Sequence, residues 1–305
     1  MSLTVFGSIG RDDITTPSGS VEGVVGGSAV YFSLAASLFT KVRLAANVGN
    51  DFPDQAWDVL RQRDTDFAGL QVFDDKKTLH WAGSYSGDMN EAETLVTDLN
   101  VLTEKPFVPE SYTDSKFLFL ANMAPETQLE ILEQFPDSTV FGDTMNLWID
   151  IARPQLDALL SKIDGLVLND GEARMLTGEQ NLIRAGAALQ KMGPKYVIIK
   201  KGEHGAFLFT PDERFGLLAY PVDSVVDPTG AGDSFAGGMM GALAAEGSLT
   251  PKSIHRAMAY GTVCASFTVQ DFSVRALEQV TRSEIDARFA ELGDFLSFSP
   301  EFSCP

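Results

Sequence analysis

The residues of this chain with the clearest chemical potential lie together in residues 227–238, which read DPTGAGDSFAGG. An apolar, strand-like segment precedes this stretch and a long helix-compatible run follows it. The backbone amides of Gly230, Ala231 and Gly232 are therefore predicted to lie at a helix N-terminus, where unpaired N–H donors and the helix dipole favour a phosphate group. Glycine also lets such a ligand approach the backbone closely.

Asp233 follows these glycines directly. A carboxylate in the first turn of a helix is a common stabilising choice. Beside a bound phosphate, however, it would repel the ligand unless it had a task such as accepting a proton. Glycine-rich turns before helices are frequent, so a lone GAGD would be a weak signal, and the extended string is more specific. The stretch predicts a phosphate site with a proton acceptor beside it.

Short apolar runs alternate with helix-compatible segments along the chain. Nearly continuous apolar character is typical of strands that are buried on both faces of a parallel sheet, and the alternation predicts βαβ units with right-handed crossovers. The predicted strands are 3–7, 42–48, 116–120, 139–141, 165–168 and 196–200, with an antiparallel strand at 205–209. The predicted helices are 28–39, 54–63, 126–135, 154–160, 181–192, 251–267 and 283–292. The sequence therefore predicts an α/β fold with a mostly parallel sheet.

Polar residues cluster where these predicted strands end, and ligands of such sheets bind beyond the carboxyl ends of the strands. The residues are Asn47, Asp51, Asn122, Asp143, Asn146, Asn169, Glu172, Lys200, Lys201 and Gly202. Each of them alone has an alternative interpretation as a cap or turn residue. Together they predict a single row of polar residues at the carboxyl ends of the strands, which we call the rim.

Two segments break the alternation, at residues 12–25 and at about 67–97. The second has period-2 runs on both sides of a polar turn at 74–77, which predicts a β-hairpin with one apolar and one polar face. A small antiparallel sheet inserted into a parallel domain serves as a lid or as a dimer surface, and the sequence leaves both open. Since no linker or repeat is visible, we expect residues 1–305 to form a single domain with this lid inserted.

The composition indicates which classes of binding partner to expect. The net charge of −19 and the isoelectric point near 4.4 argue against nucleic acid as a partner, because phosphate-backbone binding needs a basic stripe. No run reaches the roughly 18 apolar residues of a membrane span. The N-terminus also lacks a secretion signal, so we expect no membrane partner and a cytoplasmic location. Cys264 and Cys304 lack the spacing of a disulfide framework or a zinc site.

With these features in place, the chain resembles the ribokinase-like (phosphofructokinase-B type) family of sugar and nucleoside kinases over essentially its entire length. The most specific part is 227–238, which matches the family pattern DTxGAGDxFxGG with Pro228 as a mild departure. Residues 26–29 match a second glycine signature, 169–172 resemble the NxxE element and 49–51 resemble the GxD turn. The resemblance implies a ribokinase-like three-layer α/β/α core with a mostly parallel sheet and a small antiparallel β lid.

The resemblance further implies transfer of the γ-phosphoryl group of ATP to a hydroxyl group. Asp233 would be the catalytic base, and Gly230, Ala231 and Gly232 would form the anion hole. The other implied roles are acceptor binding by Asp12, Gly26, Gly27, Tyr31 and Asn47; nucleotide and phosphate binding by Asn169, Glu172, Lys200, Lys201, Gly202 and Thr262; Mg²⁺ through the phosphates, water and Glu172; and a candidate potassium site at Asp227 and Thr229.

Tyr31 and Thr262 depart from asparagines that many family members have at these positions. A large aromatic residue near the acceptor, with Phe32 beside it and Trp81 in the lid, favours a stacked base, and core packing is the other interpretation of Tyr31. We therefore expect a nucleoside acceptor, phosphorylated at its 5′-hydroxyl. A free sugar or polyol is the alternative. A catalytically silent small-molecule binder is the third hypothesis, which the intact Asp233 argues against. The lid is also a candidate surface for a homodimer.

Overall fold

The computed structural model describes residues 2–297, without the side chains of residues 54 and 55, and Cys304 lies outside this range. Its strands are β1 (Leu3–Phe6), β2 (Gly10–Thr16), β3 (Gly19–Gly26), β4 (Val42–Gly49), β5 (Thr65–Phe73), β6 (Leu79–Tyr85), β7 (Ala92–Asp98), β8 (Phe117–Leu120), β9 (Thr139–Asp143), β10 (Gly165–Asn169), β11 (Tyr196–Lys200), β12 (Ala206–Phe209) and β13 (Arg214–Leu217). Its α-helices are α1 (Ser28–Ala36), α2 (Asp54–Arg61), α3 (Pro125–Leu132), α4 (Asn146–Ile151), α5 (Arg153–Leu160), α6 (Asp170–Thr177), α7 (Leu182–Lys191), α8 (Ala231–Glu246), α9 (Pro251–Thr268), α10 (Arg275–Gln279) and α11 (Arg282–Leu296). None of the helices within residues 2–297 combines the length and the apolar character needed to cross a bilayer.

Nine strands form a central sheet in the order β13-β12-β11-β10-β9-β8-β1-β4-β5. The seven strands from β11 to β5 are parallel, whereas β12 and β13 pair antiparallel at one edge. All residues of β1 and β8 are buried, as expected for strands covered on both faces. The predicted α/β fold with a mostly parallel sheet is confirmed.

Two apolar clusters cover the two faces of the central sheet and complete three layers. One cluster contains α1, α8 and α9 and includes Phe32, Met239 and Val263. The other contains α3, α5 and α7 and includes Ile131 and Leu156. The core is therefore divided by the sheet, and the ends of the sheet strands lie between the two helical layers.

Helix α8 packs unusually closely on its neighbours because glycines line its buried face. An ideal Cβ on Gly237 would lie 2.3 Å from the carbonyl oxygen of Phe32, and one on Gly241 would lie 2.8 Å from Cα of Ala36. On the side facing α9, a Cβ on Gly238 would lie 2.7 Å from Sγ of Cys264. These contacts fix the position of α8 against α1 and α9, and thereby the position of its N-terminus.

Strands β3, β2, β6 and β7 form a second, smaller sheet in that order, and we call these four strands and their turns the lid. Its two antiparallel hairpins, β2–β3 and β6–β7, are joined by parallel pairing of β2 with β6.

The hairpin predicted across the turn at 74–77 is wrong. Strand β5 pairs in parallel with β4 at the edge of the central sheet, and the polar turn leads from that sheet into the lid. Residues 67–73, which the sequence assigned to the lid, therefore belong to the central sheet. A period-2 pattern describes one half-buried strand and says nothing about which strand pairs with it.

Candidate active site

The N-terminus of α8 lies between the lid, where Tyr85 contacts Thr229, and the carboxyl end of β11, where Lys200 lies against Gly232. We call the space between them the cleft. Gly230 is the N-cap, with a left-handed φ of 74° that favours glycine. The amide of Ala231 donates to the carbonyl oxygen of Pro228 (3.1 Å), whereas the amide of Gly232 donates to no backbone carbonyl within the described part of the chain. The predicted helix N-terminus is confirmed, and it leaves a backbone donor for an anion.

The ring of Tyr31 packs directly beneath Gly230. An ideal Cβ on Gly230 would lie 2.3 Å from this ring, and Tyr31 is 1% exposed. Phe32 is also buried, stacked on Phe119 with ring centroids 4.6 Å apart. Neither ring offers a face to a ligand, so the interpretation of Tyr31 as a stacking surface is wrong and core packing is correct for its ring.

Asp233 stands in the first turn of α8, surrounded by protein but partly open to the cleft. Burial raises the pKa of its carboxyl group to about 6, and the ammonium group of Lys200 opposes this rise. An ideal Cβ on Gly232 would lie 2.5 Å from Nζ of Lys200, so that ammonium group lies against the same helix terminus. A carboxyl group with this pKa accepts a proton readily near neutral pH.

Two more carboxyl groups, those of Asp143 and Glu172, interact electrostatically with Lys200 and Asp233. Burial raises the pKa of Asp143 well above its usual range, and the negative charge of Asp233 adds to the rise. Burial likewise raises the pKa of Glu172, which Lys200 lowers. In the part of the chain that the structure describes, Oδ1 of Asp143 is buried without a hydrogen-bond partner. The carboxyl ends of β9 and β10 thus bring Asp143 and Glu172 close to Lys200 at the end of β11.

Asn169 and Glu172 form a capping box at the start of α6. Oδ1 of Asn169 accepts from the Glu172 amide (2.7 Å), and Oε2 of Glu172 accepts from the Asn169 amide (2.7 Å). The box satisfies two N-terminal donors of the helix and fixes the Glu172 carboxylate at the rim beside Lys200.

Asp12 reaches the cleft from the lid. Its side chain is 4% exposed, and burial raises the pKa of its carboxyl group to about 8, with contributions from the charges of Asp227 and Asp233. Gly26 lies against the Asp12 carboxyl group, and Gly27 has a φ of 98° with Ser8 close behind it. The sequence-predicted acceptor residues Asp12, Gly26 and Gly27 are therefore brought together.

Asp227 and Thr229 anchor the turn before α8. Oδ1 of Asp227 accepts from the Thr229 amide (2.9 Å) and Oδ2 accepts from the Ser273 amide (2.9 Å). The hydroxyl of Thr229 donates to the hydroxyl of Tyr85 in the lid (3.2 Å). Tyr85 was missed by sequence reasoning, although its period-2 spacing from Trp81 on β6 indicated that the two share a face.

Four residues predicted for the rim serve other contacts. Nδ2 of Asn47 donates to the carbonyl oxygens of Val101 (3.4 Å) and Glu104 (2.9 Å), which ties down the segment after the lid. Three further residues are also engaged elsewhere: Oδ1 of Asn122 accepts from Trp148 (2.9 Å), Asp51 pairs with Arg11 (3.2 Å), and Asn146 bonds the amide of Leu147 (2.8 Å). Oδ1 of Asn47 is buried without a hydrogen-bond partner among the described residues, and acceptor binding by Asn47 stays a prediction.

The structure also places the residues predicted to bind the nucleotide in different surroundings. The ammonium group of Lys201 lies 3.8 Å from the Phe207 ring centroid, which is a cation–π contact. Thr262 is buried on α9. Gly202 has a φ of 53°, and an ideal Cβ on it would lie 2.1 Å from Oδ1 of Asn90, so the β6–β7 turn of the lid reaches the turn after β11.

The carboxyl groups of Asp143 and Glu172 are the candidate ligands for Mg²⁺ in the cleft. Among residues 2–297, no group of three or more His, Cys, Asp or Glu side chains is arranged to hold a metal ion. In nucleotide-dependent sites, Mg²⁺ is commonly bound by one or two carboxylates together with phosphates and waters. The unpartnered Oδ1 of Asp143 and the carboxylate of Glu172 fit that pattern.

Comparison with known proteins agrees with this geometry. The family described as pfkB family carbohydrate kinase matches residues 7–280. The cytidine kinase of Thermococcus kodakarensis is 30% identical over 246 residues, which cover 79% of this chain and 87% of that protein. Two solved structures share the fold. The aminoimidazole riboside kinase of Salmonella enterica, complexed with aminoimidazole riboside and an ATP analogue, has a TM-score of 0.77 at 18% identity and covers 95% of this chain and 100% of its own. The ribokinase of Arabidopsis thaliana, complexed with ribose and ATP, has a TM-score of 0.74 at 18% identity and covers 94% of this chain and 98% of its own.

Proposed function

Because the chain belongs to the pfkB family of carbohydrate kinases, we propose that it phosphorylates the 5′-hydroxyl group of a nucleoside with ATP and releases a nucleoside monophosphate and ADP. That it is a phosphotransferase acting on a hydroxyl group follows from the family and from its kinase relatives. The observation that carries the reaction is the position of Asp233 beside the free amide at the α8 N-terminus. The similarity to a cytidine kinase supports a nucleoside as the acceptor.

The mechanism assigns one task to each group at this terminus. The carboxylate of Asp233 takes the proton of the acceptor hydroxyl. The oxygen of that hydroxyl bonds to the γ-phosphorus as the bond from the same phosphorus to the oxygen of ADP breaks. The amides of Gly230 and Gly232 would donate to the oxygens of the transferred phosphoryl group, and the amide of Ala231 would join them by exchanging its bond to the Pro228 carbonyl oxygen for one to the phosphoryl group. Since the transition state is loose, fixed donors of this kind provide most of the stabilisation.

Lys200 and the ends of β9 and β10 would form the part of the cleft that binds the phosphates of ATP. The Lys200 ammonium group, held against Gly232, is placed to neutralise phosphate charge. Asp143 and Glu172 would hold Mg²⁺, which neutralises phosphate charge when bound. The roles of Asn169, Gly202 and Thr262 toward the nucleotide are part of this proposal.

A free sugar is the second candidate acceptor. It is favoured by the buried ring of Tyr31, which leaves no stacking face beneath Gly230, and by the similarity in fold to a ribokinase. A potassium site at Asp227 and Thr229 stays a prediction. A homodimer through the lid also stays a prediction, for which the exposed strand β7 with Leu95 offers an apolar edge.

An acceptor panel tests the proposal. The full-length protein is assayed for ADP release with ATP, Mg²⁺ and either nucleosides (cytidine, uridine, adenosine, inosine) or free sugars (D-ribose, D-fructose), and Asp233→Asn is the blank. We expect acceptor-dependent ADP release with at least one nucleoside and a 5′-monophosphate by mass spectrometry. Turnover confined to free sugars would reject the nucleoside proposal while retaining the kinase.

A further inference from the structure

A chain of hydrogen bonds crosses the lid on the face opposite to Asp12. Because neighbouring residues of a strand point to opposite faces, Asp13 points away from the cleft face of the lid, on which Asp12 lies. Nε2 of His80 on β6 lies 2.9 Å from Oδ2 of Asp13, and Nδ1 of the same ring lies 3.3 Å from Oδ2 of Asp98 on β7. The other carboxylate oxygen of Asp13 accepts from the amide of Gly23 on β3 (2.6 Å). One histidine thus completes a connection across all four strands of the lid.

His80 satisfies both carboxylates only when its ring is charged. A carboxylate accepts hydrogen bonds and donates none, so each of the two contacts needs an N–H group of the imidazole ring. The neutral ring carries one such group and the imidazolium carries two. The hydrogen bond to Asp13, together with that to Asp98, raises the pKa of His80, and burial opposes the rise. The geometry therefore selects the charged form of the ring.

Two other charged groups lie near His80 in the described part of the chain. Arg11 is opposite His80 on β2 and pairs with Asp51 (3.2 Å). The charge of His80 opposes the rise in the pKa of Asp12. The 3₁₀ turn Asn100–Thr103, which also packs on β6, has the sequence NVLT and brings no charge. The protonation of His80 is therefore governed by its two carboxylate partners.

Asp13 stabilises a β-bulge next to Asp12. The register between β2 and β3 shifts directly after Asp12, where two residues of β3 face the single residue Asp13. Gly23 is one of these two residues. It has a left-handed φ of 60° and donates its amide hydrogen bond to Asp13. Bulges bend a strand and re-aim the side chains beside them, and they are frequent next to active sites. This bulge therefore sets how β3 carries Gly26 against the carboxyl group of Asp12.

We propose that His80 is a positioning residue that, as an imidazolium, holds Asp13 and thereby the bulge that places Asp12, so that acceptor binding weakens when His80 loses its proton. Deprotonation leaves a lone pair of a ring nitrogen facing a carboxylate oxygen, which breaks the connection at β6. The contribution of the charged ring is complete below the usual histidine pKa of about 6.5, and it is lost as the pH rises through the higher pKa of the folded protein. This inference rests on the proposed function, in which Asp12 binds the acceptor.

Asp98→Asn tests the proposal because an asparagine satisfies a neutral His80. Its amide donates to the unprotonated ring nitrogen while the other nitrogen donates to Asp13. KM is measured from about pH 6.5 to about pH 9.5 with the acceptor that is turned over fastest. With rising pH, KM of the wild type should increase about 2- to 10-fold more than KM of Asp98→Asn, the range for one ordinary hydrogen bond. KM for ATP should show no such difference.

Two controls isolate the histidine. Asp12, whose pKa is raised to about 8, titrates in the wild type and in Asp98→Asn, so the difference between the two proteins reports His80. Glu93→Gln removes the same charge from an exposed residue of β7 and should follow the profile of the wild type.

Nuclear magnetic resonance follows the same residues without turnover. In protein labelled with ¹⁵N, both ring nitrogens of His80 should be protonated at neutral pH, and the amide signal of Gly23 should shift as His80 titrates. His80→Gln identifies the ring signals among those of His204 and His255. A singly protonated His80 at neutral pH, or equal KM profiles of the wild type and Asp98→Asn, would overturn the inference. If the wild type phosphorylates no acceptor, the proposed function is rejected, whereas the signals of His80 and Gly23 still support or overturn the hold of His80 on the bulge.

Discussion

The carboxyl group of Asp12 occupies the space that a side chain at Gly26 would need: an ideal Cβ on Gly26 would lie 1.8 Å from Oδ2 of Asp12. Gly26→Ala should therefore displace this carboxyl group and raise KM for the acceptor by roughly 10-fold or more, the loss of about one charge-assisted or ordinary hydrogen bond. KM for ATP should change little. Gly293→Ala is the control, because among the described residues no atom outside its chain neighbours and its own helix backbone lies within 4 Å of a Cβ there. An unchanged acceptor KM in Gly26→Ala would contradict the role of Asp12.

Asp233→Asn should retain the fold and ATP binding and lower kcat at least about 100-fold, the lower end of what a general base contributes. The amide is nearly isosteric but accepts no proton at neutral pH. Steady-state assays with isothermal titration of ATP measure both quantities. Turnover close to that of the wild type would remove Asp233 from the reaction.

The pH profile should report the same carboxyl group. Only its ionised form accepts a proton, and its pKa is raised to about 6. The value of kcat/KM should therefore fall about tenfold per pH unit below that pH, whereas a change near pH 8 would report the carboxyl group of Asp12, whose pKa is raised to about 8. In Asp233→Asn this acid limb should disappear from the residual activity. A wild-type profile that is flat down to pH 4.5 would contradict the assignment.

Gly232→Val should abolish activity, because its side chain would enter the space between the α8 terminus and the Lys200 ammonium group, where even a Cβ would lie 2.5 Å from Nζ. The flexible Lys200 side chain can move aside, so the fold should survive, as circular dichroism and thermal unfolding would show. Gly293→Val adds the same side chain to a helical position where no other helix or strand of residues 2–297 comes within 4 Å of a Cβ. Full activity in Gly232→Val would exclude the terminus as the phosphate site.

Trp81 should report a bound nucleoside base. It lies partly exposed beside Asp12 on the cleft face, with its ring over Gly83 and its Nε1 3.4 Å from Oγ1 of Thr94. If the base stacks there, Trp81→Ala should raise KM for the nucleoside about 5- to 150-fold, the range for one aromatic–base stack. Trp81→Phe should recover most of this loss. Equal KM values for all three proteins would place the base elsewhere.

The local hydrophobic pattern of the sequence was sufficient to predict the central strands. The runs at 3–7, 165–168 and 196–200 are apolar on both faces, and only a sheet interior accommodates that, so β1, β10 and β11 were predicted nearly to the residue. The pairing of β5 was not predictable, because its alternating pattern suits an edge strand of either sheet.

The candidate site was likewise predictable from the sequence only in part. Asp233 and Gly230 lie in one contiguous motif whose local geometry follows from a strand, a turn and a helix. The tasks of Asn47 and Lys201 depend on Glu104 and Phe207, which are remote or on another strand. Tyr85 becomes part of the site only through the fold of the lid, which brings it to Thr229 across a sequence separation of 144 residues.

The parallel pairing of β2 with β6 also has a consequence for synthesis of the protein. Strands β3, β4 and β5 and two helices separate these partners in the chain. A nascent chain that ends before Leu79 carries the first hairpin with an unpaired edge, a surface prone to association with other chains. The pocket around Asp12 can close only after β6 has left the ribosome and paired across this long loop, which makes the lid a late-forming part of the molecule.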